Sequence, residues 1–313
     1  MQMINRDTFS SYHPLVNFVY FGLVLAFSMI FVHPVCLGIS LICALTYAIY
    51  LNGKKAVRFS LLFMLPVFVI TVLMNPAFNH EGGTILTYLP SGNPLTLESM
   101  VYGMVAATML IGVISWFSCY NAVMTSDKFV YLFGRVIPAL SLILSMVLRF
   151  VPRFKTQLQV VSNAQRCIGR DISSGGVLQR ARKGLTILSV MVTWSLENAI
   201  ETADSMKSRG YGLEGRTAFS IYSMDRRDGI ALLFLTVCGL YIIAGAFAGG
   251  LYFRYFPTIK GVSPGLYPFS LFICYAALCL MPVILNVAAD ARWRALETGN
   301  SMRKEESQIE SVL

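Results

Sequence analysis

Apolar residues gather in six runs along this chain, at residues 15–32, 34–51, 59–74, 99–118, 229–249 and 265–288. Each approaches the roughly 20 residues an α-helix needs to cross a hydrocarbon layer about 30 Å thick. Between the fourth and fifth runs lies a polar, basic segment, residues 119–228, and after the sixth a polar tail, residues 289–313. The pattern predicts an all-α polytopic membrane protein of about six transmembrane helices. It falls into four parts: a four-span bundle (1–118), a cytoplasmic or juxtamembrane module of long amphipathic helices (119–228), C-terminal membrane helices (229–288) and a polar cytoplasmic tail (289–313).

The middle segment has helical periodicity. Beyond Pro152, the apolar Phe154, Leu158, Val161 and Ile168 recur at helical spacing, while Arg153, Lys155, Gln157, Gln159, Asn163, Arg166 and Arg170 supply wet faces. The cluster Ser173-Ser174-Gly175-Gly176 then breaks the helix. A second helix is predicted from about Ala181 to Ser208. Its apolar stripe is Leu185, Leu188, Val192, Leu196, Ala199, Ala203 and Met206; Glu197, Glu201 and Asp204 mark a polar side, and Gly210 is placed to end it. The apolar stretch at 136–148 is too short for a span. It reads as a helix of its own, packed under or partly into the bundle, with Pro138 at a kink or a first turn.

The loop at 75–98 holds Gly82-Gly83 and Pro90-Ser91-Gly92-Asn93-Pro94 and reads as a set of turns. Gly245-xxx-Gly249 and Ser99-xxx-Gly103-xxx-Ala107 permit close helix contact, as intramolecular packing or otherwise.

Composition agrees with a membrane chain: 56% hydrophobic, 13% charged, mean hydropathy +0.63. The net charge of +9 would suit nucleic acid, but in a polytopic chain Lys and Arg collect on the cytoplasmic side. With both termini inside, all but Arg254 and Lys260 of the 25 basic residues lie there. Nucleic acid is therefore not an expected partner. The seven cysteines form no CxxC pair and read as small buried hydrophobes. The N-terminus has no small-residue cleavage site after its first apolar run, so no removable signal peptide is expected.

Catalytic chemistry finds little support. His13, His33 and His80 have no metal-ligand spacing, and His13-Pro14 and His33-Pro34 read as helix starts. No phosphate-binding GxxxxGK[ST] loop and no GxSxG nucleophile turn occurs, so neither a cofactor nor ATP hydrolysis by this chain is expected. The apolar runs hold no Lys, Arg, Asp or Glu, which argues against an intramembrane ion path.

Two basic, small-residue clusters remain: Ala164-Gln165-Arg166-Cys167-Ile168-Gly169-Arg170 and Ser205-Met206-Lys207-Ser208-Arg209-Gly210-Tyr211. Contact with anionic headgroups, at about 1 kcal/mol each, is one reading. Docking on a partner protein is the other. Small residues let a helix end approach a partner's backbone while guanidinium forms a forked pair with carboxylate. Lipid binding would favour Lys-rich runs, and these sites pair Arg with Gly.

The stretch from Thr125 to Tyr211 resembles the transmembrane component T of energy-coupling factor (ECF) transporters, relatives of ABC transporters that import vitamins and transition-metal ions. Gly134-Arg135-Val136-Ile137-Pro138 and Arg149-Phe150-Val151-Pro152 look like two of that family's junctions, with Pro138, Arg149 and Pro152 as structural positions. Ala164, Gln165, Arg166, Gly169 and Arg170 sit where its first AQxxRG-like signature falls. Ser208, Arg209 and Gly210 sit in its second, Ala-Arg-Gly. Ile168 stands where the first signature has Arg, and Ser208 stands for Ala. The resemblance implies a bacterial or archaeal cytoplasmic-membrane protein without catalytic activity of its own. Its partners would be two ABC-type ATPase subunits, which receive the two coupling-helix ends, and a small substrate-binding membrane subunit. A membrane-embedded lipid-processing enzyme or a conventional ABC permease would instead need clustered polar groups inside the spans.

Overall fold

The computed structural model describes residues 7–88, 94–134, 137–170, 176–211, 213, 222–261 and 265–310, with the side chains of 138–141 and 297–310 left aside. Helices account for most of them. They divide into two compact units, one made of residues 1–125 and 222–313, the other of 126–221.

In the first unit, a short 3-10 turn (Phe9–Ser11) leads into α1 (Pro14–Ile30), α2 (Pro34–Asn52), α3 (Lys54–Phe59), α4 (Leu65–Phe78) and α5 (Leu97–Val123). A π turn, Ser60–Met64, joins α3 to α4 without a break. Pro66 explains it: proline has no N–H for the preceding turn and its ring crowds the carbonyl there, so the ladder widens just before it. In chain order the second unit then holds α6 (Ser126–Gly134), α7 (Pro138–Cys167) and α8 (Val177–Ser208). The first unit resumes with α9 (Arg226–Phe247) and α10 (Leu266–Glu310).

Among the described residues, five helices have the length and composition to cross a membrane: α2, the joined α3–α4, α5, α9 and the first 31 residues of α10. The apolar α1 has 17 residues, about 25 Å of helix at 1.5 Å per residue, the short end of the spanning range. Together they account for the six apolar runs.

Packing follows from what each helix can bury. Phe9, Tyr20, Phe21, Tyr47 and Trp116 are fully buried where α1, α2 and α5 meet. Their rings stand edge to face, with Phe9 and Tyr20 5.0 Å apart and Tyr20 and Trp116 6.1 Å apart. Polar groups in the spans satisfy one another: Ser28 and Ser40 hydroxyls lie 2.7 Å apart, Trp116 Nε1 donates to Ser40 at 2.9 Å, and Tyr20 donates to the Cys279 carbonyl at 3.0 Å.

Both small-residue motifs resolve into packing inside the unit. A Cβ on Gly103 would come 3.0 Å from the Val72 carbonyl oxygen, so α4 and α5 approach backbone to side chain there. A Cβ on Gly245 would run into the Leu271 side chain of α10. Gly249 has a different job: at φ +79° it ends α9.

One end of this bundle carries two hairpins, β1 (Ile85–Tyr88) with β2 (Pro94–Thr96) and β3 (Phe253–Arg254) with β4 (Lys260–Gly261). The expectation of turns alone at 75–98 is thus corrected. Thr87 and Tyr88 are strand formers, and Gly82, at φ +150°, with Gly83 fits under the Glu98 carboxylate. Residues 89–93 lie outside the described residues. His13 and His33 cap α1 and α2 as expected of helix starts, each Nδ1 accepting from the backbone N–H two residues on, Leu15 and Val35. At the opposite end, buried Asp228 accepts from the backbone N–H groups of both Asp225 and His13, closing a capping box on α9 and holding the chain entering α1.

Beyond residue 288 the tail does not leave as a loop: α10 continues as helix to Glu310.

Candidate functional site

The second unit carries the candidate site. The short apolar helix expected at 136–148 and the amphipathic helix expected beyond Pro152 are one element, α7. Pro138 stands in its first turn, where a missing N–H costs nothing. Arg135 and Val136 lie outside the described residues. Pro152 sits inside α7, and Thr156 Oγ1 bonds the Pro152 carbonyl at 3.2 Å. Proline therefore does not end the helix here. α8 begins at Val177, four residues before the expected Ala181, and of the expected break only Gly176, its N-cap, is described.

Where α7 and α8 pack on each other, Val161, Ile187 and Met191 form a buried cluster with Trp194 against it. Trp194 also takes the Phe154 ring edge-on at 5.4 Å and the Arg153 guanidinium over its face at 5.6 Å. The buried face of α8 is thus Ile187-Met191-Trp194, at i, i+4, i+7 spacing. The expected apolar stripe is a different face of the helix. Leu185, Leu188 and Leu196 are each more than half exposed, and Val192 is 49% exposed. Periodicity identified an apolar face, but that face is not the one used against α7.

The two signature clusters close their helices in the same way. At the end of α7, Ile168 is the C-cap and Gly169 follows at φ +78°. Gly169 N–H donates to the Arg166 carbonyl at 3.0 Å, and Arg170 N–H to the Gln165 carbonyl at 2.9 Å. At the end of α8, Arg209 is the C-cap and Gly210 follows at φ +77°. Gly210 N–H donates to the Lys207 carbonyl at 3.0 Å, and Tyr211 N–H to the Met206 carbonyl at 3.0 Å. Both are Schellman ends, which satisfy two otherwise orphaned carbonyls and need a left-handed residue that glycine supplies. Ala164, Arg166, Arg170, Ser208 and Arg209 are all exposed, and Gln165 is half-buried. Ser208 turns its hydroxyl back onto the Ser205 carbonyl, leaving a small contour where the alanine of the signature would be.

An open cleft of about 1000 Å³ lies between the first half of α7 and the last third of α8. Arg149, Phe150, Pro152, Arg153, Glu201 and Arg209 line it. The structure therefore brings the junction residues Arg149 and Pro152 together with the second tip. Arg166, Gly169 and Arg170 do not line that cleft. Arg153 and Glu201 line the cleft, and Trp194 packs beneath Arg153, without having been singled out as site residues. The signal for Trp194 was its place one helical turn beyond Met191, hidden because the more regular leucine stripe drew the assignment.

These observations define a class: a multi-pass α-helical membrane protein bearing a second helical unit with two matched, basic helix ends. The chain belongs to the CbiQ family, described as cobalt transport proteins, whose family model matches residues 11–219. Its sequence is similar to proteins named energy-coupling factor transporter transmembrane protein EcfT. The Lactobacillus helveticus protein is 38% identical over 106 residues, which are 33% of this chain and 38% of that one. The Bacillus selenitireducens protein is 27% identical over 207 residues, 63% of this chain and 75% of the relative. That of Staphylococcus aureus is 25% identical over 195 residues, 58% and 72% of the two chains.

Proposed function

We propose that this chain is the non-catalytic transmembrane coupling subunit of an ECF-type ABC importer. In this reading, the end of α7 around Arg166, Gly169 and Arg170 and the end of α8 around Ser208, Arg209 and Gly210 dock on two ABC-type ATPase subunits. A separate small membrane subunit binds the cargo, a vitamin or a transition-metal ion. The chain lies in the cytoplasmic membrane with both termini and the second unit in the cytoplasm.

The observation that carries the reading is the pair of Schellman-closed ends, each exposing arginine beside a glycine on one helical unit. A tight turn of this kind fixes the backbone of the last residues, so less backbone freedom is left to lose on docking. α7 and α8 are 30 and 32 residues long, about 45 and 48 Å at 1.5 Å per residue. Joined at the Trp194 cluster, two such rods transmit a displacement at one end as a rigid-body shift. The exposed Leu185, Leu188, Val192 and Leu196 stripe gives the cargo-binding subunit an apolar surface to move on. An embedded enzyme or a conventional permease fits less well, because the polar side chains of the spans are engaged with one another around Ser28 and Ser40.

The test is Arg209→Glu in the complex reconstituted into vesicles. Losing one partner of a desolvated charge pair costs about 2–5 kcal/mol, so ATPase recruitment should fall at least tenfold and uptake should stop. Wild-type recruitment and uptake in that variant would rule out the docking role.

A further inference from the structure

The joined α3–α4 helix is the spanning helix that the rest of the chain covers least. Of its apolar stretch 6% is buried, against 33–39% in the other four. Leu61, Leu62, Leu65 and Ile70 are each more than half exposed, and residues 61–70 hold no Gly, Ala or Ser. Helices that pack on one another in a bilayer use small residues to bring their backbones close. A face of large aliphatic side chains suits lipid tails instead.

One end of this helix is built from charge. Gly53, at φ +53°, turns the chain from α2 straight into α3, and Lys54, Lys55 and Arg58 follow, all exposed. They divide between two grooves. Lys54, Val57, Arg58, Leu61 and Leu62 line one of about 400 Å³. Lys55 lines another of about 310 Å³, with Asn52, Ser60, Ser115 and Ser118. In the first groove the two cations stand one helical turn apart, with Cβ atoms about 5–6 Å from each other, and the leucines lie deeper along the helix. Among the described residues no carboxylate lines this groove and neither cation forms an ion pair. Residues 8–80 contain no Asp or Glu at all.

A single basic residue at the end of a span snorkels into the headgroup layer, which needs no further explanation. Two cations at the mouth of an apolar groove, with nothing negative beside them, have a more definite complement. We propose that this groove holds one anionic phospholipid. Its phosphate lies between Lys54 and Arg58, the guanidinium donating a forked pair to two phosphate oxygens, and an acyl tail runs past Leu61 and Leu62. A leaflet is half the hydrocarbon core, about 15 Å or ten residues of helix, so the tail meets the exposed apolar face as far as about Ile70. A zwitterionic lipid fits worse, because its ammonium group would enter a site of two cations with no carboxylate to meet it. Basic pockets beside membrane helices take anionic headgroups by this chemistry. The site needs only that α3–α4 crosses the bilayer, and it stands whether or not the chain couples to ATPases.

The test uses the whole chain purified in detergent. It is titrated with phosphatidylglycerol and, separately, with phosphatidylcholine carrying the same tails, and retained lipid is counted by native mass spectrometry. One phosphatidylglycerol should be held about tenfold or more tightly than phosphatidylcholine. Lys54→Gln and Arg58→Gln should each cut its retention about fivefold. Lys55→Gln removes the same charge from the neighbouring groove and should leave retention unchanged. Inorganic phosphate at millimolar concentration should not displace the lipid. Equal retention of the two lipids by the wild-type chain would overturn the site. So would equal losses from Lys55→Gln and Arg58→Gln, since the charges would then act as a diffuse field. Displacement by inorganic phosphate would leave a headgroup pocket without a tail groove and refute the lipid as occupant. The wild-type preference is measured without any variant, so a misfolded substitution cannot shield the proposal.

Discussion

Gly169 and Gly210 take one left-handed backbone conformation, φ +78° and +77°, at equivalent places past the ends of α7 and α8. An L-residue pays about 1–2 kcal/mol to enter that region, and an alanine at position 210 would also set its Cβ 3.0 Å from Leu213 Cδ1. Gly169→Ala and Gly210→Ala should each loosen the last turn and free the arginine it presents. The expected effect is a roughly five- to thirtyfold loss of ATPase affinity from that strain, measured by titrating ATPase subunits onto detergent-solubilised chain. Helix content by circular dichroism should stay unchanged. Full affinity in both variants would separate docking from the turn.

The parts of this fold that were legible in sequence share a physical cause. Spans of about 20 apolar residues have one way to satisfy their backbones in lipid, so α2, α5, α9 and the apolar part of α10 could be placed from composition. Gly210 past a periodic run marked the end of α8 because glycine enters the left-handed region without strain, whereas α7 ends at Cys167, ahead of the break expected at residues 173–176. What escaped was anything that depends on which neighbour a face meets. On α8 periodicity marked the leucine stripe as apolar but could not say what that face meets. In a membrane chain an apolar face can equally meet lipid or another subunit. Pro152 looked like a boundary, but one lost hydrogen bond is small against the 30 residues of α7. The hairpin at Ile85–Tyr88 was masked by the glycine and proline around it.

Gly103 marks a close approach between α4 and α5. Its missing Cβ would meet the Val72 carbonyl oxygen at 3.0 Å and Asn75 Cβ at 3.1 Å, and a backbone oxygen cannot rotate away. Gly103→Val should therefore push the helices apart, costing about 1–3 kcal/mol as overpacking does, with a lower midpoint of thermal unfolding in detergent. Gly22 in α1 is the control: nothing lies within 4 Å of its would-be Cβ. Gly22→Ala should be neutral or stabilise by up to about 1 kcal/mol through helix propensity. Equal effects at the two sites would show that the α4–α5 contact is not tight.

His33 gives the bundle a dependence on pH. It is buried between the rings of Phe253 and Phe272, at 5.1 and 4.9 Å, and burial lowers its pKa from the ordinary 6.5. Its Nδ1 accepts the Val35 N–H, a bond that needs the neutral ring. Because the folded pKa is depressed, the unfolded chain binds the proton more readily. Stability is then fully present above about 6.5 and declines as pH falls below it. Thermal midpoints should drop between pH 7.5 and 5.5 for wild type. The slope should be shallower in His33→Asn, whose side chain can still cap α2. Parallel pH profiles for the two would assign the dependence elsewhere.

Trp194 is where α7 and α8 are held as one body, so it separates docking from transmission. Trp194→Ala removes the edge-on contact with Phe154, the face beneath Arg153 and the lid on Ile187 and Met191. A fully buried tryptophan costs about 3–5 kcal/mol on truncation; this one is half-buried, and about 2–3 kcal/mol is expected. Neither helix end is altered, so ATPase subunits should still assemble and hydrolyse ATP. A displacement entering at one rod would then be absorbed at a loosened crossing instead of passing to the other. ATP turnover per molecule of cargo imported should rise severalfold, while Trp194→Phe, which keeps a ring against Phe154, should remain close to wild type. If Trp194→Ala lost ATPase binding instead, the crossing would be part of the docking surface. If it transported at the wild-type ratio, rigid coupling through α7 and α8 would be excluded.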